Sequence, residues 1–209
     1  MNGPDQVSGK YNMDSTVEKF ERLIADFYGA PYAVAVDCCT HAIELCLRIE
    51  NDLVLTNCPK NTYLSIPMTF RKLDIAWQFT DEQWEDYYSI GNTNIIDAAV
   101  YWKRSGYIPG TKMCLSFQFK KHLNLSRGGM ILLDNYDEYV TLKKLRYDGR
   151  EDNLPWAEQD IDTLGYHYYM TPETAQSGIF RFVSAEVTEP RKWSYQDYPD
   201  LSKMKVFNA

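Results

Sequence analysis

The chain has 209 residues, 44% hydrophobic and 14% aromatic, which suits one substantial folded domain and excludes a disordered chain. Its formal charge of −7 argues against a whole-protein electrostatic footprint for nucleic acid. No apolar run approaches the ~20 residues that span a bilayer, and the N-terminus lacks the basic and apolar regions of a signal peptide.

Residues 1–13 are polar and read as an N-terminal arm. Asp14-Ser15-Thr16 can cap a helix in which Phe20, Leu23, Ile24 and Phe27 form one apolar stripe, ended by Gly29 and Pro31. Tyr32–Val36 reads as a buried strand, 37–40 as a turn, and His41–Arg48 as a helix. Leu53–Thr56 predicts a second strand, Tyr63–Lys72 a helix with Pro67 near its start, and Ile75–Phe79 a third strand. The acidic segment Asp81–Asp86 has no clear period. Asn94–Asp97 predicts a strand ending in an acid, and Met113–Phe117 with Met130–Leu133 a strand pair around Lys121. Asp134 or Asn135 can cap a helix through Leu145, and 149–163 reads as a loop. Thr171-Pro172 opens a last helix toward Val187, with Gly178 as a candidate break. Strands alternating with helices predict an α/β protein, its mostly parallel sheet flanked by helices. Residues 14–190 form one compact domain in this reading, and 191–209 a tail. Five cysteines without metal-ligand spacing read as reduced thiols of a cytoplasmic protein, and no metal site is expected.

In such sheets ligands sit at the carboxyl ends of strands. That rule selects four segments: 37–41, 58–63, 97–100 and 116–122. Lys121 is a candidate Schiff-base lysine for an aldehyde cofactor such as pyridoxal phosphate (PLP), with Ser116 five residues before it as a phosphate ligand. The turn Cys38-Cys39-Thr40-His41 precedes a helix, and its free N–H groups and Thr40 hydroxyl suit a phosphate. Asp97 can pair with a protonated ring nitrogen, and Tyr63 can stack on a flat ring. Each has an ordinary explanation alone: solvated lysines, a capped helix, a strand-end acid, a core aromatic.

Together and in this order, the segments resemble the DegT/DnrJ/EryC1/StrS sugar aminotransferases, PLP enzymes of the aspartate-aminotransferase fold. Phe20-Glu21 to Tyr28-Gly29 is similar to the family's opening helix, and Cys38-Cys39-Thr40-His41-Ala42 to its Ser-Gly-Thr-x-Ala phosphate turn. Pro59 to Tyr63 resembles its Pro-x-x-Thr-aromatic segment, Asp97-Ala98-Ala99 its Asp-Ala-Ala motif, and Ser116 to Gly129 its lysine motif. Gly165-Tyr166-His167 resembles the Gly-Tyr-Asn segment that reaches the phosphate of a neighbouring subunit. The resemblance implies PLP anchored on Lys121, contacted by Cys39, Thr40, Tyr63, Asp97 and Ser116. It implies His167 donated across a homodimer. The implied reaction moves an amino group from a donor, glutamate by analogy, to a nucleotide-linked keto-sugar. The departures are Cys38 and Cys39 for Ser and Gly, Val100 for Gln or His, His167 for Asn, Arg127 for an acid, and a short 79–94 connection. Residues 191–209 stand where the family begins its small C-terminal domain. These departures keep open a second reading: a relative that binds PLP or a nucleotide sugar without turnover, or that needs a partner protein.

Overall fold

The computed structural model describes residues 14–50, 53, 55–152 and 154–208; the expected arm at 1–13 lies outside the described residues. Its helices are α1 (Asp14–Tyr28), α2 (Cys39–Arg48), α3 (Ser65–Lys72), α4 (Tyr136–Arg146) and α5 (Pro172–Ala185). Its strands are β1 (Tyr32–Val36), β2 (Leu55–Pro59), β3 (Ala76–Thr80), β4 (Tyr88–Ser89), β5 (Ile95–Asp97), β6 (Lys112–Ser116) and β7 (Gly129–Leu133). The caps follow from side-chain chemistry. Asn135 accepts from the N–H groups of Asp137 and Glu138, and Thr171 accepts from Thr174 with Pro172 at the first helical position. Gly178 does not break α5. It lets α1 approach closely, because a Cβ there would lie 2.5 Å from the Phe20 ring.

One sheet runs in the order β1-β7-β6-β5-β4, and β2 pairs with β3 separately. Among the described residues only the β5–β6 and β2–β3 pairs are parallel, so the fold is α/β with a mixed sheet rather than a mostly parallel one. The cause is in the connections. Residues 117–128 join β6 to β7 without a crossover helix, so the chain must return antiparallel, and the short 90–94 turn does the same between β4 and β5.

Both faces of the main sheet are buried, and alternate residues serve opposite layers. Ala33, Ala35, Met113, Leu115, Met130 and Leu132 pack with Phe20, Ile24 and Phe27 of α1 and Phe182 of α5. Val34, Val36, Cys114, Ile131 and Leu133 pack with Ile43 and Leu45 of α2, Phe70 of α3 and Leu142 of α4. β1 is a sheet edge, and at Ala35 its outward polar groups are satisfied by buried side chains. The Ala35 N–H donates to Glu21 (2.7 Å), while Arg146 donates to the Ala35 carbonyl (2.7 Å) and pairs with Glu21. This closes the edge and locks α1 and α4 to the strand that leads into the site.

Candidate active site

The carboxyl ends of β1, β2, β5 and β6 converge on one cleft with a cavity volume of about 140 Å³. A cavity of ~150 Å³ accepts a benzene-sized ring. Cys39, Thr40, Tyr63, Asp97, Ser116 and Lys121 all line it. His167 does not. It lies outside the cleft with its side chain 71% exposed, paired through Nδ1 with Asp148 at 2.9 Å.

The floor is the turn from β1 into α2. Cys38 occupies the N-cap with extended backbone, its side chain caps nothing, and the first turn of α2 carries no acid. The first N–H groups of the helix therefore remain available to an anion. Beside them the Thr40 and Ser65 hydroxyls bond each other at 2.8 Å. Gly129 makes this packing possible: a Cβ there would lie 2.5 Å from the Cys38 carbonyl carbon and 2.6 Å from the Cys39 nitrogen. Cys39 does not fill the anion site. Its thiol turns to the Cys114 carbonyl (3.5 Å), and the residue is 8% exposed. Burial pushes that thiol's pKa well up, and the neighbouring Asp97 charge adds to the effect, so it stays protonated.

Asp97 ends β5, 7% exposed. One carboxylate oxygen accepts from the Tyr88 hydroxyl at 2.7 Å, the other from the Ala99 N–H at 3.0 Å. Tyr88 is in turn bonded by the Thr62 hydroxyl. Burial raises the Asp97 pKa, against the opposing pull of Tyr88, the Ala99 N–H and the Lys121 charge. A carboxylate has about four acceptor positions, so one more donor, such as a ring N–H, can be received.

Lys121 lies in the loop after β6, its backbone N–H bonded to the Gln118 carbonyl (2.8 Å) and its Nζ 5.3 Å from the centre of the Trp193 ring. Burial lowers its pKa, only partly offset by the Asp97 charge. A lysine shifted this way presents more neutral, nucleophilic amine near neutral pH.

Asp37 accepts from His41 Nδ1 and from Arg127, each at 2.6 Å. Burial opposes charge on His41, but its bonds to Asp37 and Cys38 outweigh that and place its pKa at about 9. Asp37, Cys38 and His41 come within 4.8 Å of one another, yet two cations already hold the carboxylate, which disfavours a metal ion there. His122 bonds the Ala185 carbonyl of α5 at 2.8 Å and serves packing.

Four aromatic residues of the site escape sequence reasoning. Trp84 lines the cleft from the acidic segment without period and Tyr88 from β4, and Tyr198 does so from the tail, with Trp193 beside Lys121. Residues 193–201 are strapped across the opening. Asp86 N–H bonds the Trp193 carbonyl, Tyr195 N–H the Trp84 carbonyl, Asn61 the Tyr198 carbonyl, and Leu201 N–H the Lys60 carbonyl. The spacing of Trp84 and Tyr88, one helical turn apart, is the only local signal, and it points to the wrong element.

The residues present fit PLP: an anion cradle at the start of α2, an acid with a spare acceptor, an amine of lowered pKa, and room for a ring between them.

Comparison with known proteins places the fold. The DegT/DnrJ/EryC1/StrS aminotransferase family matches residues 6–87. Among solved structures, AtS13 from Actinomadura melliaura is similar at 17% identity and a TM-score of 0.72, over 82% of this chain and 60% of its own. The PLP-form of Spr1654 from Streptococcus pneumoniae gives 17% and 0.67, over 88% and 60%. DesI in the presence of its TDP-sugar product gives 18% and 0.65, over 82% and 53%. No curated protein sequence matches. The chain thus has the aminotransferase fold, and it spans 53 to 60% of the length of these three structures.

Proposed function

We propose that this protein is a PLP-dependent sugar aminotransferase that moves an amino group from an amino-acid donor, glutamate by analogy, to a nucleotide-linked keto-sugar. The observation that carries the reading is the convergence of Lys121, Asp97 and the α2 N-terminus on one cleft. The matched family, the PLP-form of Spr1654 and the TDP-sugar product of DesI support the same cofactor and substrate class.

PLP, when bound, supplies the aldehyde and the electron-withdrawing ring through which an amino group is passed. The chain's own residues do the rest. The N–H groups of α2, with Thr40 and Ser116, hold the phosphate. Cys39 contributes its backbone N–H. Asp97 would accept a hydrogen bond from the protonated ring nitrogen and so keep the ring cationic. Tyr63 covers a ring face. Lys121 Nζ anchors the cofactor and, once released, takes and returns protons at the substrate carbon. His167 reaches the phosphate of a second copy, which makes the working unit a homodimer with shared sites. A cytoplasmic location suits this role.

Borohydride trapping tests it. PLP added to the protein is expected to become fixed on the Lys121 peptide, and Lys121→Ala to abolish that adduct while the circular dichroism is unchanged. Glutamate added to the loaded protein is expected to release 2-oxoglutarate in a single turnover. An adduct retained by Lys121→Ala rules out the anchor. The adjacent Cys38 and Cys39 at the anion turn and the apolar Val100 in the cleft favour a second reading, a PLP or nucleotide-sugar binder that is non-catalytic or depends on a partner. An adduct on Lys121 that yields no keto acid from any amino donor selects that reading.

A further inference from the structure

We propose that Trp193, from the strap beside the cleft, is a positioning residue for the Lys121 amine, fixing it against the face of its indole ring. The inference rests on the reading of Lys121 as the cofactor anchor and extends it. The Nζ–ring distance of 5.3 Å lies inside the ~6 Å range of cation–π attraction, for which Trp is the strongest partner. The lysine needs such a partner. Its four-carbon stem rises from a loop, and fixing it costs rotamer entropy that the Lys121–Gln118 backbone bond does not offset.

The charged and titratable groups facing the amine are Asp97 from β5, Cys39 from α2 and the adjacent Lys120. None of them makes a close ion pair with it; among the described residues its cation–π contact is Trp193, whose ring also carries the Arg191 guanidinium. Trp193 is itself fixed. Its carbonyl accepts from the Asp86 N–H at 3.0 Å, and Ser194 bridges to Glu85. The Arg191 guanidinium packs 3.9 Å from the ring centre while paired with Asp197, so Arg191 braces the indole with its charge already matched. Sequence far from the lysine motif therefore supplies a rigid plate at the reactive amine. This would keep the amine in one place at the border of the cleft, rather than free in solvent.

The test compares wild type, W193F and W193L in cofactor-free form. Lys121 acylation by a small reagent is followed across pH by peptide mass spectrometry, with Lys120 as the internal reference. Leucine keeps apolar cover but loses the ring face that favours the ammonium. The Lys121 labelling midpoint is expected to fall by roughly half a pH unit in W193L and by less in W193F, with Lys120 unchanged. Borohydride-trapped PLP capture is expected to slow several-fold in W193L and less in W193F. A W193L midpoint equal to wild type overturns the proposal. Should W193L not fold, a W193F midpoint at or above wild type overturns it. Wild-type protein that captures no PLP on Lys121 defeats the functional reading instead, and leaves the labelling comparison to decide the contact.

Discussion

At the end of β5, burial lifts the Asp97 pKa above its ordinary value despite two hydrogen-bond donors and the nearby Lys121 charge. A group raised on folding adds stability that is complete below its unfolded pKa, ~3.9, and is lost as pH rises through the folded value. At neutral pH the ionised carboxylate is therefore a cost carried for its chemistry. Asp97→Asn keeps the shape and removes the charge; its one oxygen still accepts from the Ala99 N–H, and its amide can donate to Tyr88 if that hydroxyl turns to donate to Thr62. The cofactor-free variant is expected to gain about 1 kcal/mol at pH 7, a Tm rise of ~2–4 °C, while its PLP affinity falls. The stability gain should vanish below about pH 4. Thermal unfolding at both pH values checks this, and a lower Tm at pH 7 sinks it.

The element that matters most is the turn joining β1 to α2, because three separate pieces of chain shape it. β1 delivers it to the sheet edge, α2 points its free N–H groups into the cleft, and β7 passes beneath it at Gly129. A methyl group at Gly129 would strike backbone, which cannot rotate away. Gly129→Ala is expected to cost about 1–3 kcal/mol in urea unfolding and to weaken PLP affinity, as the turn is pushed off its position. At Gly128 the nearest groups are side-chain atoms of Phe117 and Met170 at 3.2–3.3 Å, so Gly128→Ala is expected to cost less. Equal costs would remove the turn's special status.

The legibility of the elements follows the same logic. The Phe20–Phe27 stripe, the Asn135 cap and the Thr171-Pro172 start are local signals, and the helices they announce formed. The six cleft residues could be read because they stand at strand ends in a recognisable order. Strand direction could not, since it depends on what the 117–128 loop lacks, a crossover helix. β4 has two residues and exists only through pairing with β5. The strap consists of short 3-10 turns tied to residues 60–61 and 84–86. Neither carries a period, so Tyr88, Tyr198 and Trp193 stayed hidden.

At the scale of the whole molecule, His167 poses the remaining question. It stands 71% exposed outside its own cleft, in a chain segment that also exposes Leu164 (81%) and Trp156 (69%). Large apolar side chains left in water beside a polar group suit a surface that meets another protein. If that protein is a second copy, each cleft draws Lys121 from one chain and His167 from the other, and damage to the two residues can be complemented. Lys121→Ala and His167→Ala are each expected to be nearly inactive as pure proteins, by keto-acid release from glutamate. Mixed and allowed to exchange subunits, they form hybrids in which one of the two clefts has both residues. Half the dimers are hybrids at equal mixing, so recovery of about a quarter of wild-type activity is expected. Sedimentation as a strict monomer, or mixing that restores nothing while exchange is demonstrated by mass labelling, defeats the shared-site arrangement. A monomer with full activity would move the phosphate contacts of His167 to groups within its own chain, of which Ser65 and Arg127 already line the cleft.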